Sequence, residues 1–261
     1  MGFLKSSATL TISDTIIDYE TYPFSWSYTD TDDDTPSYLE VEIPNLTKTY
    51  RESISIGDGV VFNFGFDDDT GTLIQGYVDK KSYDSNDAVT DYTNLKILDT
   101  DSDIYGKIST TYVNKSSKYI ITDIVSKLGM TLKLLNLKTN VSHINDYTAY
   151  GKGLPILKKL VNQCGSKIRV EGSQVYIYNE DDETVGTYYL VNFETGLLKA
   201  PEEYTEDGKS YTHVFASLAN HNLRKNSIVK VDIDDFKSYC KILKMNISDW
   251  KAIYYVKTLE V

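Results

Sequence analysis

The sequence predicts a mainly β protein interrupted by a small α+β insert, and three observations carry that reading. Apolar and polar residues alternate at period two through the first 110 residues and again beyond residue 180. Between those stretches the apolar residues switch to helical spacing. The charge changes sign at the same places: residues 1–110 carry a net −14, 111–178 a net +7, and 179–261 a net −4. Shifts of charge and of period that coincide mark domain boundaries. They divide the chain into a first antiparallel β unit over 1–110, an α+β unit over 111–180, and a second β unit over 181–261.

In the first segment, Phe24, Trp26 and Tyr28 alternate with Ser25, Ser27 and Thr29, and Thr9–Ser13 alternates likewise. Tyr38–Ile43 places Leu39, Val41 and Ile43 on one face and Tyr38, Glu40 and Glu42 on the other. Gly59–Phe66 and Gly71–Tyr77 flank Asp67–Thr70, the pattern of a hairpin turn, and Thr90–Leu98 supplies a further strand. Several short strands separated by turn signals imply a sandwich or barrel. In the second segment, Ser116 or Ser117 caps a helix carrying Ile120, Ile121, Ile124, Val125 and Leu128, with Gly129 at its stop. A second helix starts near Gly153, holds Pro155 in its first turn and stops at Gly165. Lys167–Val170 and Gln174–Tyr178 form a hairpin around Glu171–Ser173. The third segment returns to strands at Thr187–Phe193, Tyr211–Leu218, Ser227–Ile233, Tyr239–Ile247 and Ala252–Leu259.

Composition excludes several classes. Of the 261 residues, 41% are hydrophobic and 25% charged, which is globular rather than disordered. The 27 Lys and Arg against 38 Asp and Glu leave −11, too acidic for general nucleic-acid binding, which needs clustered basic groups to neutralise phosphate. Tyrosine is abundant at 22 residues; its apolar ring and polar tip suit half-buried strands and interfaces. Cys164 and Cys240 form no CxxC and read as two buried free thiols. Met1–Leu10 lacks the apolar core of a secretory signal, and no apolar run approaches a membrane span. The reading is a chain made in a cytoplasm, with no membrane insertion of its own.

The candidates for chemistry are weak. Asp99, Asp101 and Asp103 have the first spacings of a calcium loop, but Ile104 and Thr110 stand where Gly and an acid belong. Asp30, Asp32 and Asp34 fail in the same way at Thr35 and Val41. All three acid runs, Asp67–Asp69 included, read as solvated turns that hold no metal. His143, His213 and His221 show no metal spacing, and His213 on a strand pattern reads as structural. No nucleophile elbow or phosphate loop is present, and Gly57-Asp58-Gly59 lacks the third Gly of a dinucleotide fingerprint. Two facing carboxylates would suffice for a glycosidase, but no pair is singled out. The expectation is no catalytic residues, no metal and no cofactor.

The order of several short phrases resembles the hub proteins of phage baseplates. The run EVEIPNLTKTYRESISIGDGVVFNFGFDDDTGTLIQGYV carries Ile43-Pro44-Asn45-Leu46, Gly57-Asp58 with Val60, Phe64-Gly65-Phe66, and Gly71 through Gly76 and Val78. These are similar to the family's strand ending in I-x-N-L, its GD-x-V, its aromatic-Gly turn and its G-x-I-x-x-G-x-I; Pro44 departs from the pattern. Ile108–Tyr112 and Tyr119–Gly129 resemble the family's first helix region. Tyr150–Cys164 with Gly165, then Ile168–Tyr178, resemble its second helix and hairpin. Thr195-Gly196-Leu197-Leu198 and Pro201, then Ser217-Leu218-Ala219-Asn220-His221, resemble TGL-I-x-x-P and S-L-L-N-P, with departures at Ala219 and His221. Ser227–Val231, Tyr239–Leu243 and Trp250 are similar to the closing barrel. The resemblance runs from about residue 8 to the C-terminus and rests on ordering rather than on any single phrase.

That resemblance implies two tail-tube-like antiparallel β-barrel domains separated by a small helix-strand-helix-hairpin domain that lies outside or beside a ring. It implies a homotrimer whose six barrels make a pseudo-sixfold ring joining the sixfold tail tube to the threefold central spike, without catalytic residues. Related proteins serve contractile tails, tailocins, type VI secretion spikes and long non-contractile tails. The implied location is the virion, and the implied partners are the tube protein, the spike protein and other baseplate proteins, with the tape-measure protein a further candidate. DNA would pass through without specific binding, along an acidic wall supplied by part of the −14 of residues 1–110. The chain ends after the second barrel pattern, so no appended wall-cleaving domain is expected. The alternatives are a tail-associated cell-wall hydrolase and a carbohydrate-binding module.

Overall fold

The computed structural model describes residues 5–30, 36–85, 90–100, 102–179, 188–248 and 250–259. The first segment gives β1 (Ser6–Ile12), β2 (Thr15–Asp18), β3 (Ser25–Asp30), β4 (Tyr38–Pro44), the short helix α1 (Lys48–Ser53), β5 (Gly59–Phe66), β6 (Asp69–Ser85) and β7 (Asp91–Leu98). The second gives β8 (Lys107–Tyr112), β9 (Lys115–Ser116), α2 (Ser117–Lys127), β10 (Thr131–Leu135), β11 (Ser142–His143), β12 (Tyr147–Lys152), α3 (Gly153–Gln163), β13 (Lys167–Glu171) and β14 (Gln174–Tyr178). The third gives β15 (Tyr189–Val191), β16 (Leu197–Glu203), β17 (His213–Leu218), β18 (Ile228–Ile233), β19 (Phe236–Ser248) and β20 (Lys251–Thr258).

The protein is mainly β, and it divides into two compact units. One holds Met1–Asp33, Ser37–Leu98 and Thr184–Val261, and the other Asp34–Pro36 and Asp99–Glu183. In the first unit the strands run in the order β16-β17-β20-β19-β3-β4-β7-β6-β5-β1-β2, with β18 on β19 and β15 on β18. Every pairing in it is antiparallel except β15 with β18. Leu39, Val41 and Ile43 on β4 and Trp26 and Tyr28 on β3 are buried, as their alternation requires. The two outermost strands are blunt. β2 has only four residues, and β16 carries Pro201 and shifts register twice against β17. Short edges, proline and irregular pairing discourage uncontrolled strand addition.

The second unit packs α2 and α3 against the sheet β10-β14-β13, with β8–β12 and β9–β11 as flanking pairs. β10 runs parallel to β14, and β13 antiparallel to it. Ile120, Ile121, Ile124 and Val125 of α2 meet Leu157, Leu160 and Val161 of α3 in one buried cluster. Ser116 is the cap of α2: its hydroxyl accepts from the Tyr119 N–H at 3.4 Å. Gly129 and Gly165 follow the two helices in left-handed conformations, φ 70° and 66°, which only glycine adopts without strain.

Several elements differ from the sequence reading. β8 pairs with β12 along its whole length and lies in the second unit, although the charge step places it before residue 111. Residues 147–152, where no strand is expected from the sequence, are that partner strand. β16 was not expected as a strand, because Pro201 and its bulges obscure the period-two signal. The strand expected over Thr187–Phe193 shortens to Tyr189–Val191, and Thr187 lies outside the described residues.

Asp123 on α2 accepts from Tyr112 Oη at 2.7 Å and pairs with Lys127 Nζ at 2.7 Å. The Lys127 hydrogen bond, then that of Tyr112, holds its carboxyl below the usual carboxylate range. Burial, then the same carboxylate, pushes the Tyr112 phenol up. A depressed carboxyl contributes stability above its unfolded pKa, and the contribution is lost as pH falls through the folded value. Asp123→Asn is therefore expected to destabilise the α+β unit at neutral pH and flatten its acid limb. Urea titrations between pH 7 and pH 3 check this; an unchanged acid limb contradicts it.

Candidate functional site

The candidate site is the seam where the two β segments become one body, together with the faces that body leaves exposed. β3 pairs with β19 through Asp30↔Met245, Thr29↔Asn246, Tyr28↔Ile247 and Ser27↔Ser248. The side chains around this ladder belong to one buried cluster that draws on both segments, including Leu10, Phe62 and Ile97 with Val229, Ile242 and Tyr254.

Three further contacts lock the seam. Trp250 sits at φ 64° in the β19–β20 turn. Its ring meets Tyr19, Trp26 and Phe66 at centroid distances of 5.3, 5.4 and 5.9 Å, with tilted or edge geometry. Arg224 donates through Nη1 to the carbonyls of His221 (2.6 Å) and Leu223 (2.8 Å), and through Nη2 to those of Thr72 (3.0 Å) and Leu73 (2.6 Å). A planar guanidinium can serve carbonyls of two segments at once; an ammonium cannot hold that fork. Asp30, 3% exposed, accepts from Ser37 Oγ at 2.7 Å and from the Lys225 N–H at 2.8 Å. This corrects the reading of Asp30 as a solvated acid. Its carboxylate is a buried acceptor, which is tolerable because both partners satisfy it. Asp32 and Asp34 lie outside the described residues.

The residues that carried the family resemblance are scattered structural positions, several converging on this seam. Asn45 ends β4 at φ 51°; its backbone N–H donates to Asp91 O at 2.6 Å and its side chain accepts from Asp91 N at 3.1 Å. Its carbonyl accepts from the Tyr22 hydroxyl. Leu46 is buried beside it. Gly57, at φ 96°, and Asp58 bond to Val78, and Asp58 also accepts from the Ser55 N–H at 2.8 Å. A Cβ on Gly65 would overlap the Asp69 carbonyl and stand 2.6 Å from Thr70 Cα, so the hairpin permits only glycine. A Cβ on Gly71 would enter the imidazole of His221, whose edge faces Phe64 at 6.2 Å. The departure at His221 is thus matched by open space at Gly71. Ala219, the other departure, is buried and donates its N–H to Trp250 O at 2.9 Å.

Gly76 lies opposite Val60 in the β5–β6 pair. Gly196, at φ 103°, packs under Leu218, and Leu197 is buried. Ser217 is buried in β17, donating to Leu218 O at 2.7 Å, and Pro201 lies on the edge strand β16. Gly129 and Gly165 belong to the second unit and take no part in the seam. Nothing in the sequence singles out Arg224, because an arginine in an irregular segment gives no periodic signal.

The chemistry these groups can perform is holding rather than reacting. The outer face of β3, β4, β7 and β6 forms an open groove of mixed charge, with Glu40 and Glu42 beside Lys80 and Lys96. Lys96 reaches Glu40 at 3.9 Å and lies 3.7 Å from the Tyr38 ring centre. That face is of mixed sign rather than acidic; exposed carboxylates of the first segment are spread over turns, at Asp14, Glu20, Asp67 and Asp68, and over strands, at Asp18, Glu40, Glu42, Asp69 and Asp84. No group of three or more His, Cys, Asp or Glu among the described residues could hold a metal ion. Cys164 and Cys240 are free and buried, and burial pushes the Cys240 thiol up to about 12, so it stays protonated. Ser117 Oγ lies 2.8 Å from His143 Nε2, but Ser117, the first residue of α2, is fully buried. His213 is half-buried against Phe236, ring centres 4.9 Å apart.

Removing the clamp is expected to weaken the β unit alone, because all its contacts lie within that unit. Arg224→Ala leaves four carbonyls without their charged donor, an expected loss of about 3 kcal/mol from the β unit, while Arg224→Lys recovers less than half. Trp250→Ala is expected to cost about 3 kcal/mol, the low end for a large aromatic at a partly exposed site. Hydrogen exchange resolved by segment checks both. Loss of protection confined to the β unit supports the clamp, and a loss in α2 and α3 as well contradicts it.

No family model and no curated protein matches the sequence. Solved structures do match, over almost the whole chain. A 43 kDa tail protein of prophage MuSo2 from Shewanella oneidensis aligns with TM-score 0.67 at 11% identity, covering 97% of each chain. A tail protein from Neisseria meningitidis MC58 aligns with TM-score 0.63 at 6% identity, covering 98% of this chain and 97% of that one. An E. coli component of the type VI secretion system, described as structurally similar to the T4 phage tail proteins gp27 and gp5, aligns with TM-score 0.66 at 13% identity. It covers 96% of this chain and 77% of that one. The chain therefore has the fold of these tail proteins and of this secretion-system component, carried by residues almost entirely different from theirs.

Proposed function

We propose that the chain is a structural component of a phage tail or baseplate, a trimeric hub between the sixfold tail tube and the threefold central spike. The single observation that carries this reading is the whole-length match, in both directions, to two tail proteins. The seam supports it. A connector must transmit load without parting, and β3–β19 with the Arg224 clamp makes one body from the two β segments. Three copies would then offer six β segments to a sixfold tube, and a closed threefold contact to a spike.

The same reading makes the role non-enzymatic, with the tube protein, the spike protein and other baseplate proteins as partners in the virion. DNA would pass the ring without being gripped. Its repulsion would come from turn carboxylates such as Asp67 and Asp68 rather than from the mixed groove of β4 and β7. No helix among the described residues is long and apolar enough to cross a membrane.

Sedimentation equilibrium of the purified chain, alone and with its tube protein, tests the proposal. A species of three times the chain mass is expected, together with an uncleared cell-wall zymogram. A dimer or hexamer as the terminal species, or clearing of the zymogram, contradicts it.

A further inference from the structure

Two exposed surfaces remain that the seam does not use, and their chemistry is opposite. In the first unit, Tyr188, Tyr189, Leu190, Phe193 and Leu198 all stand exposed, Phe193 at 63% and Leu198 at 51%. Their strands β15 and β16 each have one paired side only. Phe193 shares a groove with Glu194, Asp234 and Asp235. Lys230 and Lys237 reach Asp232 at 3.6 and 3.5 Å, whereas Glu194, Asp234 and Asp235 form no ion pair among the described residues. An apolar patch rimmed by polar groups marks a protein contact.

In the second unit, β8 and β12 turn Ile108, Tyr112 and Ala149 to the core and leave the other face outward. That face presents Ser109 and Thr111 with Tyr150, which at 81% is the most exposed large apolar side chain among the described residues. Lys107 and Lys152 stand directly opposite each other on the two strands. Like charges so placed oppose the pairing, and neither makes an ion pair among the described residues. An anionic partner would relieve them.

We propose that these two surfaces bind each other between copies of this chain. The acid-rimmed strip over 188–198 of one copy receives the lysine–tyrosine face of β8 and β12 of the next. The inference rests on the trimeric reading above. A closed threefold ring needs a contact between two different patches present on every copy, and these two complement each other in sign and in exposed aromatic surface. β12 lies in residues 111–178, the one of the three segments with a net positive charge, +7. With Lys107 opposite Lys152, its exposed face is of the sign that suits the groove.

Charge reversal in the full chain is the test, with sedimentation and salt titration as readouts and far-UV circular dichroism as the folding control. Asp234→Lys with Asp235→Lys, and separately Lys107→Asp with Lys152→Asp, are each expected to raise the trimer dissociation constant about tenfold or more. All four together are expected to return it to within about threefold of the parent. If a reversal pair does not fold, Lys107→Gln with Lys152→Gln replaces it and should weaken assembly in the same direction. A trimer insensitive to the reversals, or reversals that weaken it without mutual rescue, overturns this inference alone. Reversals that abolish only tube-protein binding overturn it as well, by assigning the strip to another tail protein. A parent chain that stays monomeric at every concentration removes the trimeric reading and the inference with it.

Discussion

The structure depends on the ladder between β3 and β19. Without it, the N-terminal and C-terminal strands would each expose an apolar face and an open edge. With it, they share one sheet and one core. The ladder itself has only four residue pairs, and what makes it firm is what surrounds it. Trp250 of the C-terminal segment packs edge-on against Tyr19 and Trp26 of the N-terminal one, Arg224 ties four carbonyls with one guanidinium, and Asp30 stays buried only because two donors meet it. Each of the three makes at least one contact between residues far apart in sequence, Trp250 with Tyr19, Arg224 with Leu73 and Asp30 with Lys225, so the fold has to close before those bridges are made.

That closure explains the placing of the second unit. The segment from Asp99 enters and leaves between strands of one continuous body, and it carries its own core around α2 and α3. It can change its surface, including its positive charge, without touching the seam. The first unit keeps both sheet ends blunt, through a four-residue β2 and a proline-bearing β16. Association is thereby left to side-chain faces rather than to strand addition. The exposed aromatic strip at 188–198 and the lysine face of β8 and β12 are the features such an arrangement leaves available.

Much of this was legible in the residues. Alternation in Trp26–Tyr28 and Leu39–Ile43 gave the buried faces of β3 and β4, because a strand with one wet side must alternate. Ser116, Gly129 and Gly165 marked the ends of the helices for reasons of capping and left-handed geometry. The seam was not legible. Arg224 and Asp30 act through partners up to 195 residues away, and no local period encodes that. β16 escaped because Pro201 weakens the strand signal, and β8 was assigned by charge although its partner β12 lies in the insert. The phrases resembling a phage hub were informative through their order. Individually they proved to be turn and cap positions, with Gly71 and His221 coupled by packing alone.

The central claim is that this one body is a threefold connector at the end of a tail tube. The most direct measurement is an electron cryomicroscopy map of the assembled tail tip. The account predicts three copies around the axis, each placing its β3–β19 body in a single ring against the tube. One copy, six copies, or no density for the chain at the tip would contradict it.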